Sequence, residues 1–531
     1  MSKVRVLDCT LRDGGYINEW NFGLENVKKV VKSLNDARIE IIEIGFLSNR
    51  IEKNDELSKF VNILDISDIL NREDNNSIHV CMINFGEYNL EDLPEAKSNL
   101  IDGIRVAFHK KDMYEAIELC KGIKEKGYKI FMQPMVAANY SDLEYLKLIE
   151  LSNEVKPYAF YVVDSFGVMK ENDVIKYFFM ADYNLDKEIY VGFHSHNNLQ
   201  LSYANAIALL KVNTQRELII DSSIHGMGRG AGNLNTELFV EYLNDLHNRD
   251  YNVKPLLEVI DTIIKPIYHE KKWGYSLPHY LSAVNNCHPN YASYLDDRNT
   301  LTIQDISLIL GDLDPVKKNN FDREYIRSKY ITYLEKSSAK RNDIEKLKLI
   351  FKNKTILILA PGKSILYSEN IIKNYINENV ITIAVNFVPN NINCDYVFFS
   401  NKKRFDHFTL NKGTKIIATS NIENGEKTDY LVDYHYLLNT VSAVEDNSGL
   451  MLLKLLFEIG VNNVFLAGFD GYSYQEHFEQ NYVSKKMSFV QSEDRINRIN
   501  LGMNFLINEY AKKIDITMIT EPKHIHIYYK K

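Results

Sequence analysis

The sequence predicts an α/β protein: a TIM (β/α)8 barrel with a helical appendage, followed by a smaller Rossmann-like α/β domain. Three observations predict it. Eight short apolar runs alternate with amphipathic stretches over residues 1–270. Residues 255–335 lose the strand pattern and read as helical and aromatic-rich. A second alternation of apolar runs begins at Thr355. At 531 residues the chain is too long for one hydrophobic core.

The strand-like runs of the first region are Val4–Leu7, Ile39–Ile44, Ile78–Ile83, Ile104–Ala107, Lys129–Met132, Ala159–Val163, Tyr190–Phe193 and Leu218–Ser222. Helix-like stretches such as Leu24–Ala37, Asp142–Glu154 and Glu237–Asn248 lie between them. Eight units of about 30 residues each fit a closed parallel barrel better than an open sheet. Residues 271–340 are predicted to be a helical appendage and linker, and the charged stretch 335–354 carries no strand signal. Residues 341–531 hold fewer strand-like runs: Thr355–Leu359, Val380–Val385, Tyr396–Ser400, Lys415–Thr419, Asn463–Ala467 and Ile516–Ile519. An open doubly wound sheet suits that number.

Bulk properties narrow the function classes. The chain is 45% hydrophobic and 25% charged, with a net charge of -8, so no basic field suggests nucleic acid. No apolar run approaches the ~20 residues that span a bilayer, and no signal-peptide core opens the chain. The five cysteines are scattered and odd in number, without zinc-type spacing. They read as reduced thiols of a cytoplasmic protein.

The chemistry begins at Val6-Leu7-Asp8-Cys9-Thr10-Leu11-Arg12-Asp13-Gly14-Gly15. An apolar run ends in a cation and a carboxylate, then two glycines leave room for a ligand. Asp13 can bind a divalent metal and Arg12 can hold an anionic substrate. Alone, the pair also reads as a surface salt bridge. The seventh run ends in His194-Ser195-His196, whose alternate residues face one side of a strand. Two imidazoles at the C-terminal end of a barrel strand form a partial metal site. The eighth ends in His225-Gly226-Met227-Gly228-Arg229-Gly230-Ala231-Gly232-Asn233, where Asn233 can add an amide oxygen.

Residues 4–300 resemble the DRE-TIM metallolyases, the pyruvate carboxyltransferase-like domain. Four motifs carry the resemblance in order: Arg12-Asp13, Glu43 within Ile42-Glu43-Ile44-Gly45-Phe46, His194-Ser195-His196, and the loop Gly226 to Asn233. The resemblance implies that Asp13, His194 and His196 bind a divalent metal, with Asn233 as a further ligand. Mn²⁺ is the first expectation; Mg²⁺, Co²⁺ and Zn²⁺ are alternatives. It further implies that Arg12 stabilises an enolate and that Glu43 orients Arg12.

Within that family, Gly15-Tyr16 and the loop without a glutamate before Arg229 set the chain apart from the synthases that condense acetyl-CoA with a 2-oxo acid. The segments Ile104–His109 and Asp164–Gly167 are similar to 4-hydroxy-2-oxovalerate aldolase. The implied reaction is metal-dependent aldehyde-lyase chemistry on a 4-hydroxy-2-oxo acid, through pyruvate and an aldehyde. A Claisen-type acyltransferase and a non-catalytic scaffold are the alternatives. That aldolase places a catalytic histidine where this chain has Tyr16, a poor base at neutral pH. His109 and Tyr275 are the candidates to share its acid–base work, although cap packing also accounts for the aromatics around Tyr275.

In the second domain, Ala360-Pro361-Gly362-Lys363-Ser364 follows a strand, as a phosphate loop would, yet is too short for a Walker motif. With Asp470 in Gly468-Phe469-Asp470-Gly471, these residues resemble the nucleotide-sugar-binding Rossmann-like domain of bacterial sialyltransferases. The downstream segment Tyr482–Ser492 lacks the histidine those enzymes use. The expectation is a nucleotide or nucleotide-sugar site formed by Gly362, Lys363, Ser364 and Asp470; a divergent transferase or kinase and a pure scaffold are the alternatives. Homo-oligomerisation is left open.

Overall fold

The computed structural model describes residues 4–70, 77–98, 100–298, 300–336, 342–405, 408, 413–422, 428–473 and 493–528. The segment Tyr482–Ser492 lies outside them. Contacts divide the chain into two compact units. The first holds residues 1–292 and 318–320; the second holds residues 293–317 and 321–531. The expected appendage is therefore shared between the units, with Leu277–Val284 in the first and Ile303–Gly311 and Arg323–Lys336 in the second. The expected linker at 335–354 contains a helix, Ile344–Phe351, which buries Leu347 and Phe351.

The first unit is a closed barrel. Its strands are β1 (Val4–Asp8), β2 (Ile41–Leu47), β3 (Ile78–Asn84), β4 (Gly103–Phe108), β5 (Lys129–Pro134), β6 (Ala159–Asp164), β7 (Tyr190–Ser195) and β8 (Leu218–Ser222). Each pairs in parallel with the next, and β1 closes the ring against both β2 and β8. Leu7, Ile41, Val80, Phe131, Tyr161 and Ile219 fill the barrel interior. A larger apolar layer packs the strands against the surrounding helices. Parallel strands buried on both faces explain the near-continuous apolar runs of the sequence. The helices carry their own start signals: Asp142–Val155 opens with a capping box between Ser141 and Glu144.

Two local departures bear on the site. The chain does not carry Arg12 and Asp13 on the strand itself. Asp8 accepts the N–H of Thr10 at 2.9 Å, and Thr10–Asp13 turns into a short helix. In β2 the pairing with β3 shifts register between Glu43 and Gly45. Gly45 has φ +153°, and a Cβ there would lie 1.9 Å from the Ser58 carbonyl oxygen, so only glycine fits.

The second unit is an open, all-parallel sheet: β9 (Thr355–Leu359), β10 (Val380–Val385), β11 (Tyr396–Phe399), β12 (Lys415–Thr419), β13 (Tyr430–Val432), β14 (Asn463–Ala467) and β15 (Asp515–Met518). The spatial order is β13-β12-β11-β10-β9-β14-β15. The short β13 has too little apolar sequence to announce itself. The chain order reverses between β9 and β14, the position where such sheets open a crevice at their C-terminal edge. No helix among the described residues is long and apolar enough to cross a membrane. The five cysteines are buried and unpaired.

Candidate metal centre

The C-terminal rim of the barrel gathers side chains that the sequence separates by more than 180 positions. Asp13, His194 and His196 bring their ligand atoms within 4.8 Å of one another, and all three residues are buried. His194 is the penultimate residue of β7, and His196 lies just beyond the strand, held by a bridge to Asn233. His196 Nε2 stands 3.5 Å from Asp13 Oδ2.

Hydrogen bonds fix which atoms face the centre. His194 Nδ1 bonds Asp221 Oδ2 at 3.0 Å, which leaves Nε2 toward the site. His196 Nδ1 contacts the Asp164 carbonyl oxygen at 3.2 Å. His196 Nε2 is buried and has no hydrogen-bond partner. The Asn233 side-chain amide donates to Asp13 Oδ2 at 2.7 Å, while its Oδ1 is buried without a partner. Unsatisfied buried lone pairs are costly, and a hard or borderline divalent cation would use them. The mixed nitrogen and oxygen donors fit the metal implied by the motifs without choosing among the candidates.

Electrostatics prepare these groups as ligands. Burial opposes the Asp13 carboxylate, yet Arg12, His196 and His194 outweigh it and hold its pKa well below the ordinary value. Burial lowers His194 to about 4, so the ring is neutral at pH 7. Gly228 makes the close packing around Asp13 feasible. A Cβ at that position would lie 2.3 Å from Asn233 Nδ2 and 2.6 Å from Asp13 Oδ2.

Beneath the ligands runs a buried ionic chain. Arg12 donates to Asp13, and its Nε donates to Glu43 Oε2 at 2.9 Å. Arg105 Nη1 donates to the same Glu43 oxygen at 2.7 Å, and Nη2 donates to Asp221. Glu43 thus forms a buried ion pair with Arg12. Arg105 and Asp221 were not singled out in the sequence. Their signal was available: each is a charged residue inside an apolar strand, a placement that demands a partner.

Residues 3–263 match the family described as HMGL-like. This part of the chain is an HMGL-like domain. The 4-hydroxy-2-oxovalerate aldolase of Geobacillus genomosp. 3 is 25% identical over 269 residues, covering 50% of this chain and 77% of that protein. The one from Chloroflexus aggregans is 27% identical over 275 residues, covering 50% and 77%. Among solved structures, the N-terminal domain of a putative aldolase from Bacteroides vulgatus is 28% identical, with a TM-score of 0.48, covering 57% of this chain and 99% of that one.

The remaining predicted residues are placed unevenly. In the HMGL-like domain, Tyr16 lies on the rim, its ring 4.8 Å from that of Trp20 and under the Arg229 guanidinium at 5.5 Å. The desolvating surroundings of its hydroxyl raise its pKa, although 39% of the residue is exposed, so the phenol stays protonated at neutral pH. His109 follows β4, and burial, helped by Lys111 and Arg229, lowers its pKa. Tyr275 is not drawn into the centre. It is 59% exposed and has no hydrogen bond or ring contact among the described residues. Its neighbour Trp273 is the buried member of that segment, donating to the His225 carbonyl oxygen at 3.0 Å.

In the second unit, Gly362 and Asp470 line a cavity of about 170 Å³ at the sheet's C-terminal edge, along with Asn386, Ser448 and Arg298. Ser364 donates its N–H to Asp470 Oδ2 at 2.8 Å and its hydroxyl to Asp470 Oδ1. Asp470, from the segment after β14, therefore occupies the N–H that a phosphate would need. Lys363 does not line the cavity.

Proposed function

We propose that the barrel is a divalent-metal-dependent lyase of the aldehyde-lyase type, forming or cleaving the C–C bond of a 4-hydroxy-2-oxo acid through the enolate of pyruvate. One observation carries this reading: Asp13, His194 and His196 converge on the same rim to which Glu43 fixes the Arg12 guanidinium. The relatives named 4-hydroxy-2-oxovalerate aldolase support it.

When bound, the cation, with Mn²⁺ as the first candidate, would polarise the oxygens of the 2-oxo acid. Asp13, His194 and His196 would hold it, with Asn233 Oδ1 as a further donor. Arg12 would meet negative charge as it develops on the enolate oxygen, already oriented and at no cost in reorganisation. His109, neutral at pH 7, would take the methyl proton. Tyr16 keeps its phenolic proton and would donate a hydrogen bond to the aldehyde oxygen.

The test is deuterium exchange at the pyruvate methyl, in the protein loaded with Mn²⁺. Metal-dependent exchange is expected, and Asp13→Ala should abolish it and weaken metal binding. Metal binding without exchange would sink the enolate reading. It would favour a non-catalytic scaffold, a reading that the tyrosine at position 16 favours by itself.

For the second unit, the reading is a nucleotide or nucleotide-sugar site in the cavity lined by Gly362 and Asp470. Calorimetric titration with CMP and UDP tests it, and no heat with either would remove it. The unpaired cysteines support a cytoplasmic location.

A further inference from the structure

We propose that Arg229 anchors an anionic group, a carboxylate or a phosphate ester, on the second substrate of the barrel. The inference rests on the pyruvate reading only in naming that substrate as the partner of the enolate.

Arg229 sits in the loop after β8, directly beyond Gly228, whose backbone abuts Asp13 and Asn233. Its guanidinium crosses the barrel mouth. On one side it lies over the ring of Tyr16, three residues past Asp13, at 5.5 Å. On the other, Nη2 reaches the Ser165 carbonyl oxygen at a long 3.4 Å. Ser165 follows Asp164, whose own carbonyl oxygen contacts His196. The group therefore spans the entrance above the three candidate ligands.

The guanidinium is under-used. Its Nε is buried and has no hydrogen-bond partner. No carboxylate among the described residues forms an ion pair with it, whereas Arg12 and Arg105 each hold two. A partly desolvated cation without a counter-charge is costly to maintain. The groups around it do not supply one. His109 and His288 lie in its field, and the His288 ring stands 6.2 Å from that of Phe166, the residue after Ser165. Burial and then Arg229 push His288 down to about 3, so both imidazoles are neutral at pH 7. Among the described residues no ion pair compensates the Arg229 guanidinium. A planar fork of N–H donors suits a carboxylate or a phosphate oxygen pair.

The test is calorimetric titration of the full chain loaded with Mn²⁺, using succinic semialdehyde, glycolaldehyde phosphate and propionaldehyde as probes. At least one anionic probe should bind about tenfold or more tightly than propionaldehyde, the scale of one or two charge-assisted hydrogen bonds. The tighter of the two identifies the group as carboxylate or phosphate. Arg229→Gln should erase the preference, and Arg229→Lys should keep part of it and guards against misfolding of the first variant. Equal binding of propionaldehyde, or a preference that survives Arg229→Gln, overturns the proposal. These titrations need no turnover. Pyruvate exchange in the unaltered protein reports separately on the enolate reading, so each can fail alone.

Discussion

Asp221 accepts the Nδ1–H of His194 at 3.0 Å and, on the same oxygen, a guanidinium N–H of Arg105. One carboxylate thus sets the tautomer of a metal-facing histidine and ties it to the ionic chain beneath. Burial would raise the Asp221 pKa, but Arg105 and His194 hold it below the ordinary value. Asp221→Asn should weaken Mn²⁺ binding by roughly 10–100-fold, as loss of a carboxylate partner does to other ligating histidines. Competition against a fluorescent chelator measures this; unchanged affinity would deny Asp221 its orienting role.

Arg105 is fully buried between Glu43 and Asp221, with its guanidinium 5.0 Å from the centre of the Tyr161 ring. Removing one member of a buried ionic set leaves uncompensated charge. Arg105→Met should destabilise the barrel by about 3–5 kcal/mol. Both tryptophans, Trp20 and Trp273, belong to the first unit, so fluorescence-detected urea unfolding reports on it. A loss below about 1 kcal/mol would show that Glu43 and Asp221 find other partners.

His109→Gln should slow pyruvate exchange by about 10²–10⁴-fold, the usual worth of a positioned general base. Because burial lowers the pKa of His109, its working neutral form persists into mild acid. The acid limb of the exchange profile should therefore fall below pH ~6.5, the ordinary histidine value. A limb above that value assigns the base to another group.

Asp8 is buried, and burial raises its pKa to about 6 despite hydrogen bonds from Thr10 and Thr236. The folded protein then binds a proton that the unfolded chain, at 3.8, has already released. Between those values stability falls as pH rises. Asp8→Asn removes that penalty, so its advantage should reach up to about 3 kcal/mol at pH 7 and shrink toward pH 4. Urea unfolding at the two pH values checks the sign. An advantage independent of pH would mean that Asp8 titrates normally.

Much of this was legible in the sequence because a parallel barrel repeats one signal. The strands from Val4–Asp8 to Leu218–Ser222 are mostly apolar and buried on both faces, and most of them precede an α-helix. The His194-Ser195-His196 spacing survives folding for the same reason: alternate residues of a strand share a side. Arg12 and Asp13 were harder to place, since the Asp8–Thr10 hydrogen bond turns the chain into a helix that apolar patterning does not announce. Tyr275 is a candidate only through the resemblance to the aldolase, and in the structure it is exposed while its neighbour Trp273 takes the buried position. Ser364 reads as a phosphate-loop residue, and a carboxylate 106 positions away satisfies it instead.

The amino-acid sequence by itself determined the barrel and the candidate ligands Asp13, His194 and His196. Local periodicity and short motifs hold that information within a few residues of each position. Only the tertiary structure decided that Arg105 and Asp221 complete the ionic chain. It also decided that Arg229 reaches across from Tyr16 to Ser165 without a carboxylate partner among the described residues. Charge compensation in a buried site is settled by which strands become neighbours, and closing the ring brings together residues more than 200 positions apart.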